Sequence, residues 1–204
     1  MNDTEGSVGG QSGESSANRF RHPRVRIGAV IVLAVAAGFI VWLAVGNDNN
    51  SSTPASSTTT KATGVARIGP LAVSPQRMRR LSGSLHQPIY WAGPMRGVTY
   101  EFTRTSNGRI YVRYLPAGVN VGDKRSNFLI VVTYPFSGAY HALTAVAANR
   151  GDKLPGGGLA LVDAKYPKSV HVAYRNVNYQ IEVYDPSPRR SRTVALSGQV
   201  QPVR

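Results

Sequence analysis

The residues that could carry chemistry are few and scattered. Four histidines occur, His22, His86, His141 and His171. No two stand three or four residues apart, the spacing that puts two imidazoles on one helical face for a metal ion. None neighbours an acid cluster, so a metal site would need distant residues to converge. From Arg67 onward only six carboxylates are available: Glu101, Asp123, Asp152, Asp163, Glu182 and Asp185. A pair of them at the right separation could act as acid and base on a glycosidic bond. Glu101 and Glu182, however, fall inside strand patterns with a cross-strand role, and the aspartates lie beside turns, where Asp bonds its own backbone. There is no Gly-x-Ser-x-Gly sequence, which disfavours a hydrolase built on a nucleophile elbow. The run Leu-Pro-Gly-Gly-Gly-Leu at 154–159 has the glycines of a phosphate loop. It lacks the Lys-Ser/Thr ending and leads into a strand pattern rather than a helix, so it reads as a tight turn. No catalytic residue, cofactor site or metal site is assigned.

One constellation offers binding rather than catalysis. Tyr111 flanked by Arg109 and Arg113, together with Arg104, would make a basic and aromatic exposed surface. Guanidinium charge and ring stacking there could hold an anionic or sugar ligand. An ordinary solvated sheet face, or one covered by a helix, accounts for the same residues.

The element that must position these residues is VTYEFTRT-SNG-RIYVRYL, residues 98–115. A two-residue Asn107-Gly108 turn would mix polar and apolar side chains on both faces of the hairpin. A three-residue loop, Ser106-Asn107-Gly108 with a left-handed glycine, pairs Arg104 with Ile110, Phe102 with Val112 and Tyr100 with Tyr114. It collects Val98, Tyr100, Phe102, Ile110, Val112 and Tyr114 on one face and sets Glu101 opposite Arg113 on the other. Because a one-residue slip inverts every side chain, burial selects the second register. On a solvated face the Glu101–Arg113 pair would contribute only ~0.2–1 kcal/mol.

Around the hairpin, Ser74-Pro75 reads as an N-cap and first helical position, followed by Met78, Leu81 and Leu85 at helical spacing, so a helix is expected over about 75–85. Ile89-Tyr90-Trp91 should enter a strand. FLIVVTY, 128–134, is a continuous apolar run expected as a central strand covered on both faces. AYHALTAVAANR, 139–150, is expected as a helix with Gly151 as its C-cap candidate. LALVD, SVHVAY (169–174) and YQIEVYD (179–185) read as strands, the last two half-buried. Ser187-Pro188 opens a helix through Leu196. The expected fold is therefore α+β, a mostly antiparallel sheet with about three short helices, with a tandem α-β-β-β repeat as a further reading.

The rest of the chain sets where this domain works. Ile27–Val45 is nineteen residues without charge or proline, roughly 28 Å as a helix, close to the ~30 Å hydrocarbon core of a bilayer. Arg19, Arg21, Arg24 and Arg26 precede it, and no basic residue comes after it until Lys61. That bias places the N-terminus in the cytoplasm. A cleaved secretory signal ending at Ala44-Val45-Gly46 is the competing interpretation, although its apolar region would exceed the usual length. Both export the C-terminal region. Residues 1–26 are expected as a disordered tail with a basic juxtamembrane cluster, 27–46 as a transmembrane signal-anchor, 47–66 as a Ser/Thr-rich linker and 67–204 as one extracytoplasmic domain. There is no cysteine, which excludes disulfides and thiolate sites. From residue 67 onward 19 Lys and Arg face six Asp and Glu. Such a charge suits an anionic envelope polymer or lipid headgroups, with nucleic acid not expected outside the membrane; another membrane protein is the remaining partner expected. Codon bias toward arginine explains the same excess without a selected surface.

PIYWAGP, the hairpin ending YVRYLP, the strand ending TYP, and the late YQIEVYDPSP and LSGQVQPV together resemble a set of actinobacterial single-pass membrane proteins of unknown function, over about Ser74–Val203. The resemblance implies an exported α+β domain and no assigned activity. The expected function is thus non-enzymatic: a binding, envelope-structural or sensory domain in the bacterial cell envelope. A hydrolase using dispersed carboxylates, and a transmembrane signalling partner, are the alternatives.

Overall fold

In the computed structural model, residues 66–204 are described. The expected tail, the anchor Ile27–Val45 and all but the last residue of the linker lie outside the described residues. Among those described, no helix is long and apolar enough to cross a membrane.

The elements run β1 (Ile68–Val73), α1 (Pro75–Leu85), β2 (Tyr90–Trp91), β3 (Val98–Arg104), β4 (Ile110–Pro116), β5 (Leu129–Pro135), α2 (Ala139–Ala147), β6 (Asp152–Leu154), β7 (Gly158–Val162), β8 (Ser169–Tyr174), β9 (Tyr179–Tyr184), α3 (Pro188–Leu196) and β10 (Gln201–Pro202). This is the α+β domain expected, with three helices. Eight strands form one sheet in the order β1-β3-β4-β5-β9-β8-β7-β6, and β10 pairs with β2 separately. Every neighbouring pair in the large sheet is antiparallel. The order is a mirror image: four strands from the first half of the domain meet four from the second at β5 and β9.

The hairpin β3–β4 has the register that burial selects, with Arg104 opposite Ile110, Phe102 opposite Val112 and Glu101 opposite Arg113. Gly108 is left-handed, with φ of 77°. Thr105 closes the loop by donating its N–H to the Arg109 carbonyl at 2.9 Å. Both expected N-caps form. The Ser74 hydroxyl accepts from the Arg77 N–H at 3.2 Å and the Ser187 hydroxyl from the Arg190 N–H at 3.4 Å, each satisfying a donor that the first helical turn leaves open.

Alternation along the strands divides the side chains between two faces. One face carries Phe102, Ile110, Val112, Val131, Val172, Ile181 and Val183, and packs against Met78 of α1, Val194 of α3 and Val200 before β10. The other face is covered in part by α2, whose Ala139, Leu143 and Ala147 pack on Leu161 and Ala173. Strands β8 and β9 are therefore sandwiched between α2 and α3. They are buried on both faces from Ser169 to Ala173 and from Gln180 to Val183, not half-buried as their alternation suggests. The central strand β5 is buried on both faces as expected.

Three strands lie outside the expected set. The edge strand β1 contains Gly69 and Pro70 at an irregularity in its pairing with β3, an arrangement that only an edge tolerates. The edge strand β6 has three residues and β10 has two. Tyr90–Trp91, expected from the sequence as a strand, pairs with β10 and not with the large sheet. Helix α2 ends at Ala147, three residues before the expected Arg150, because Ala148 and Asn149 both turn left-handed.

Candidate functional site

The four residues expected to form a basic, aromatic surface are divided by the fold. Arg104 points to the α1/α3 face and is 6% exposed. Its Nη1 donates to the Ala66 carbonyl at 3.1 Å and its Nη2 to Gln87 Oε1 at 3.1 Å, while Gln87 in turn donates to the Gly108 carbonyl at 2.7 Å. Arg104 thus ties the start of β1 to the hairpin loop. Tyr111 and Arg113 share the opposite face and are each 1% exposed. Arg109 alone is partly open to solvent, and its guanidinium sits 5.4 Å from the Tyr134 ring centroid. The surface is therefore not an exposed one. Burial raises the Tyr111 hydroxyl pKa, with the Arg109 guanidinium opposing the shift.

What fills that face is a seam of buried polar groups. Arg113 Nη1 meets Glu101 Oε1 at 2.7 Å with both side chains nearly excluded from solvent. The loop between β4 and β5 closes over the pair. The Gly122 N–H donates to Glu101 Oε2 at 2.6 Å, Arg113 Nη2 donates to the Arg125 carbonyl at 2.7 Å, and the Arg113 guanidinium lies 5.1 Å over Phe128. The expected solvated pair is in fact the anchor of a loop. Further along the sheet, Glu182 accepts from the Tyr134 and Ser169 hydroxyls, each at 2.5 Å. Burial, followed by the charge of Glu182, pushes the Tyr134 hydroxyl well above its ordinary pKa. His171, paired across the ladder with Glu182, has Nδ1 2.9 Å from Gln180 Nε2. A Gln180 amide donating to Nδ1 leaves the ring proton on Nε2, which has no partner among the described residues. Burial lowers the His171 pKa and so favours the neutral ring, against the charges of Glu182 and Asp163.

Serine, histidine and glutamate are the residue types of a nucleophilic site, but their connections here differ. Ser169 donates to Glu182 rather than to His171, and all three are buried. Glu101 on β3 and Glu182 on β9 stand three strands apart. At ~4.8 Å per strand that is roughly 14 Å, beyond the ~5–9.5 Å that a glycosidase pair requires. His141 is exposed on α2. Among the described residues, no three of His, Asp and Glu come together as a metal-ion group.

The accessible chemistry lies at the far edge of the sheet. A cavity of about 590 Å³ opens between the C-terminal end of α2 and the β6–β7 hairpin. Its walls include Tyr140, Thr144, Asn149, Lys153 and Arg175. The glycine run forms the hairpin turn Pro155–Gly157, with Gly156 and Gly157 at φ of 73° and 77°, the tight turn its composition predicts. Gly158 comes next, at the start of β7, where a Cβ would stand 2.6 Å from the Tyr174 ring, so only glycine lets the strand pass that ring. Antiparallel pairing brings the two cations to the same edge: Lys153 is opposite Leu159, and Leu159 is opposite Ala173, two residues before Arg175. The Arg175 guanidinium rests 5.1 Å over the Tyr140 ring, an attraction that pre-positions it. The cavity's lining has two cations and no carboxylate. It also receives the end of α2, whose carbonyl dipole is partly negative. Full positive charge beside partly negative acceptors suits a ligand with an anionic group and hydroxyls. No residue type or spacing in the sequence announces this site, because Lys153 and Arg175 are 22 positions apart and meet only through two hairpins. No protein-family model, curated protein or solved structure matches the chain.

Proposed function

We propose that the chain is a single-pass membrane protein, N-terminus in the cytoplasm and anchored through Ile27–Val45. In this reading its α+β domain is a non-enzymatic binding module outside the cytoplasmic membrane that holds an anionic envelope polymer. The observation that carries the binding reading is the cavity with Lys153 and with Arg175 laid over Tyr140. The arginine bias before residue 27 carries the orientation. A carboxylate or phosphate group would be held by the two cations, and polymer hydroxyls by Asn149, Thr144 and the α2 carbonyls. The domain's excess of 13 positive charges, 19 against six from residue 67 onward, would speed encounter with such a polymer. The strand order supports a tandem repeat of the strands alone, four from each half, since α2 and α3 pack on opposite faces of the sheet.

Two experiments test this. Export-dependent reporters fused after Gly10 and after Arg204 should be silent and active respectively, and the reverse pattern overturns the orientation. The full chain in vesicles should sediment with an anionic glycopolymer such as teichoic acid at low salt. Lys153→Ala/Arg175→Ala should abolish that co-sedimentation. Undiminished co-sedimentation by the double variant would show that the cavity is not the site.

A further inference from the structure

A second concave surface, with different chemistry, lies on the α1/α3 side of the molecule. It is a groove of about 520 Å³ between the segment Trp91–Pro94 and the C-terminal segment carrying Gln199, Gln201, Pro202 and Arg204. We infer that this groove is a binding subsite for an uncharged saccharide chain, with Trp91 as its stacking platform. The groove shares no lining residue with the cation-lined cavity, so either site can fail without the other.

The groove is preorganised by two tyrosines from the large sheet. The buried Tyr114 hydroxyl accepts from the Ala92 N–H at 2.6 Å and donates to the Gly93 carbonyl at 3.2 Å. The Tyr100 hydroxyl accepts from the Met95 N–H at 2.7 Å and donates to its carbonyl at 3.1 Å. Four hydrogen bonds thus hold residues 92–95 in one path, and Gly93 turns left-handed within it, at φ of 77°. Trp91 is fixed from below by an edge-to-face contact with Tyr100, centroids 5.8 Å apart, and remains partly exposed. On the facing wall the β2–β10 pairing sets Gln201 directly opposite Trp91. The amide of Gln201 is oriented by donating to the Gly198 carbonyl at 3.0 Å. Gln199, exposed just before β10, lines the same groove.

This set of groups selects its ligand by chemistry. A pyranose ring presents axial C–H bonds, weakly positive, to the negative face of an indole. Its equatorial hydroxyls need paired donors and acceptors at the ring edge, which a carboxamide supplies from one planar group. Pro94 and Pro202 add rigid apolar walls that lose no rotamer entropy on binding. The one charged side chain in the lining is Arg204, so the tryptophan, glutamine and proline body of the groove asks for no anion. A proline-rich peptide would also stack on a tryptophan. It prefers a series of aromatic ridges, and one indole with two amides fits a sugar better.

Trp91 is its own probe. The chain has two tryptophans, so a Trp42→Phe background leaves Trp91 as the sole emitter. Titration of that full chain with N-acetylglucosamine oligomers of three to six units should quench and blue-shift the emission in a saturable way. Gln201→Ala and Gln199→Ala, both at exposed positions, should each weaken binding by about tenfold, the loss expected for one or two hydrogen bonds. Lys153→Ala/Arg175→Ala should leave it unchanged. Trp91→Phe, read by calorimetry, should bind more weakly than Trp91 while retaining the fold. The inference is overturned if no oligosaccharide of the series changes Trp91 emission, if both glutamine variants bind as well as the parent, or if a polyproline peptide saturates the groove where the sugars do not.

Discussion

The buried pair Glu101–Arg113 is the sharpest place to test the physics of this domain. An exposed cross-strand ion pair contributes ~0.2–1 kcal/mol. The pair here has side chains 0% and 2% exposed and an N–O separation of 2.7 Å, so removing one partner strands a charge where water cannot reach it. That loss is about 3–5 kcal/mol. Glu101→Gln keeps the shape and an acceptor for Arg113, which puts it near the lower end at ~3 kcal/mol. Arg113→Met leaves the Glu101 carboxylate with only the Gly122 N–H and also gives up the bond to the Arg125 carbonyl, so it belongs at the upper end. For a domain of this size a loss of ~3 kcal/mol lowers Tm by roughly 10 °C. Glu101→Leu/Arg113→Met removes both charges and frees only Gly122 and Arg125. Both of those are exposed, so water can satisfy them, and the double variant should sit closer to the parent than either single variant. Urea unfolding of the full chain, tracked by circular dichroism, measures all three against the parent. With single losses of about 3 and 5 kcal/mol and a double variant below about 3 kcal/mol, the double loss falls short of the sum of the single ones by about 5 kcal/mol or more. If each single variant costs under ~1 kcal/mol, the pair behaves as a solvated one and the reasoning fails.

Four further outcomes concern the same seam and the glycines. His171 has its folded-state pKa below the ordinary 6.5 through burial, so the unfolded chain binds the extra proton. Its contribution is intact above about pH 6.5 and is lost as pH falls from there toward the depressed folded value. His171→Gln should therefore flatten the fall in unfolding free energy below pH 6.5, and an unchanged slope would exclude His171 as its source. Tyr134→Phe leaves one Glu182 oxygen without its hydroxyl donor and should cost about 1–3 kcal/mol, measured by denaturant midpoint. Gly158→Ala should cost a similar ~1–3 kcal/mol, because the added Cβ meets the Tyr174 ring at 2.6 Å and that ring is stacked on Tyr90. Gly151→Ala meets the Cδ1 end of Leu159 at 2.6 Å, a branch that can rotate away, and should cost distinctly less by thermal melting.

The hairpin was legible because its turn and its polarity pattern agree on one register. A slip would set Glu101 and Thr103 beside Val112 and Ile110, whereas the observed pairing sets Glu101 opposite Arg113 and Phe102 opposite Val112, with Arg104 opposite Ile110 as the exception that Gln87 satisfies. The caps at Ser74 and Ser187 were legible because they are local, a side chain and an N–H three residues on. The fate of Arg113 was not. Its face reads Thr99, Glu101, Thr103, Tyr111, Arg113, which is indistinguishable from a solvated sheet. The cover comes from Gly122 and Arg125, at least nine residues away in a loop without periodicity. Strands β1, β6 and β10 were missed because Gly69-Pro70 and lengths of two or three residues carry no alternation. The cation-lined cavity was invisible for a related reason: its two charged residues gain their proximity from two successive pairings, and a linear scan sees only one residue beside an aspartate and another beside a tyrosine.

The separation of the buried polar seam from the open cavities then has a physical cause. A sheet of eight strands with helices on both sides buries most of what it carries, and polar groups caught inside must be satisfied by one another. Once Glu101 holds Arg113, and Tyr134 and Ser169 hold Glu182, those side chains are committed to their partners and cannot reorganise around a ligand. The accessible cavity and groove lie where glycines turn the backbone and open the packing. Gly156 and Gly157 turn the β6–β7 hairpin beside Arg175, and Gly93 turns the path that exposes Trp91. Substitutions in the seam should therefore change stability and leave intrinsic affinity nearly untouched. Substitutions at Lys153, Arg175, Gln199 and Gln201 should do the opposite. A seam variant such as Tyr134→Phe that lost affinity while remaining fully folded would break that separation.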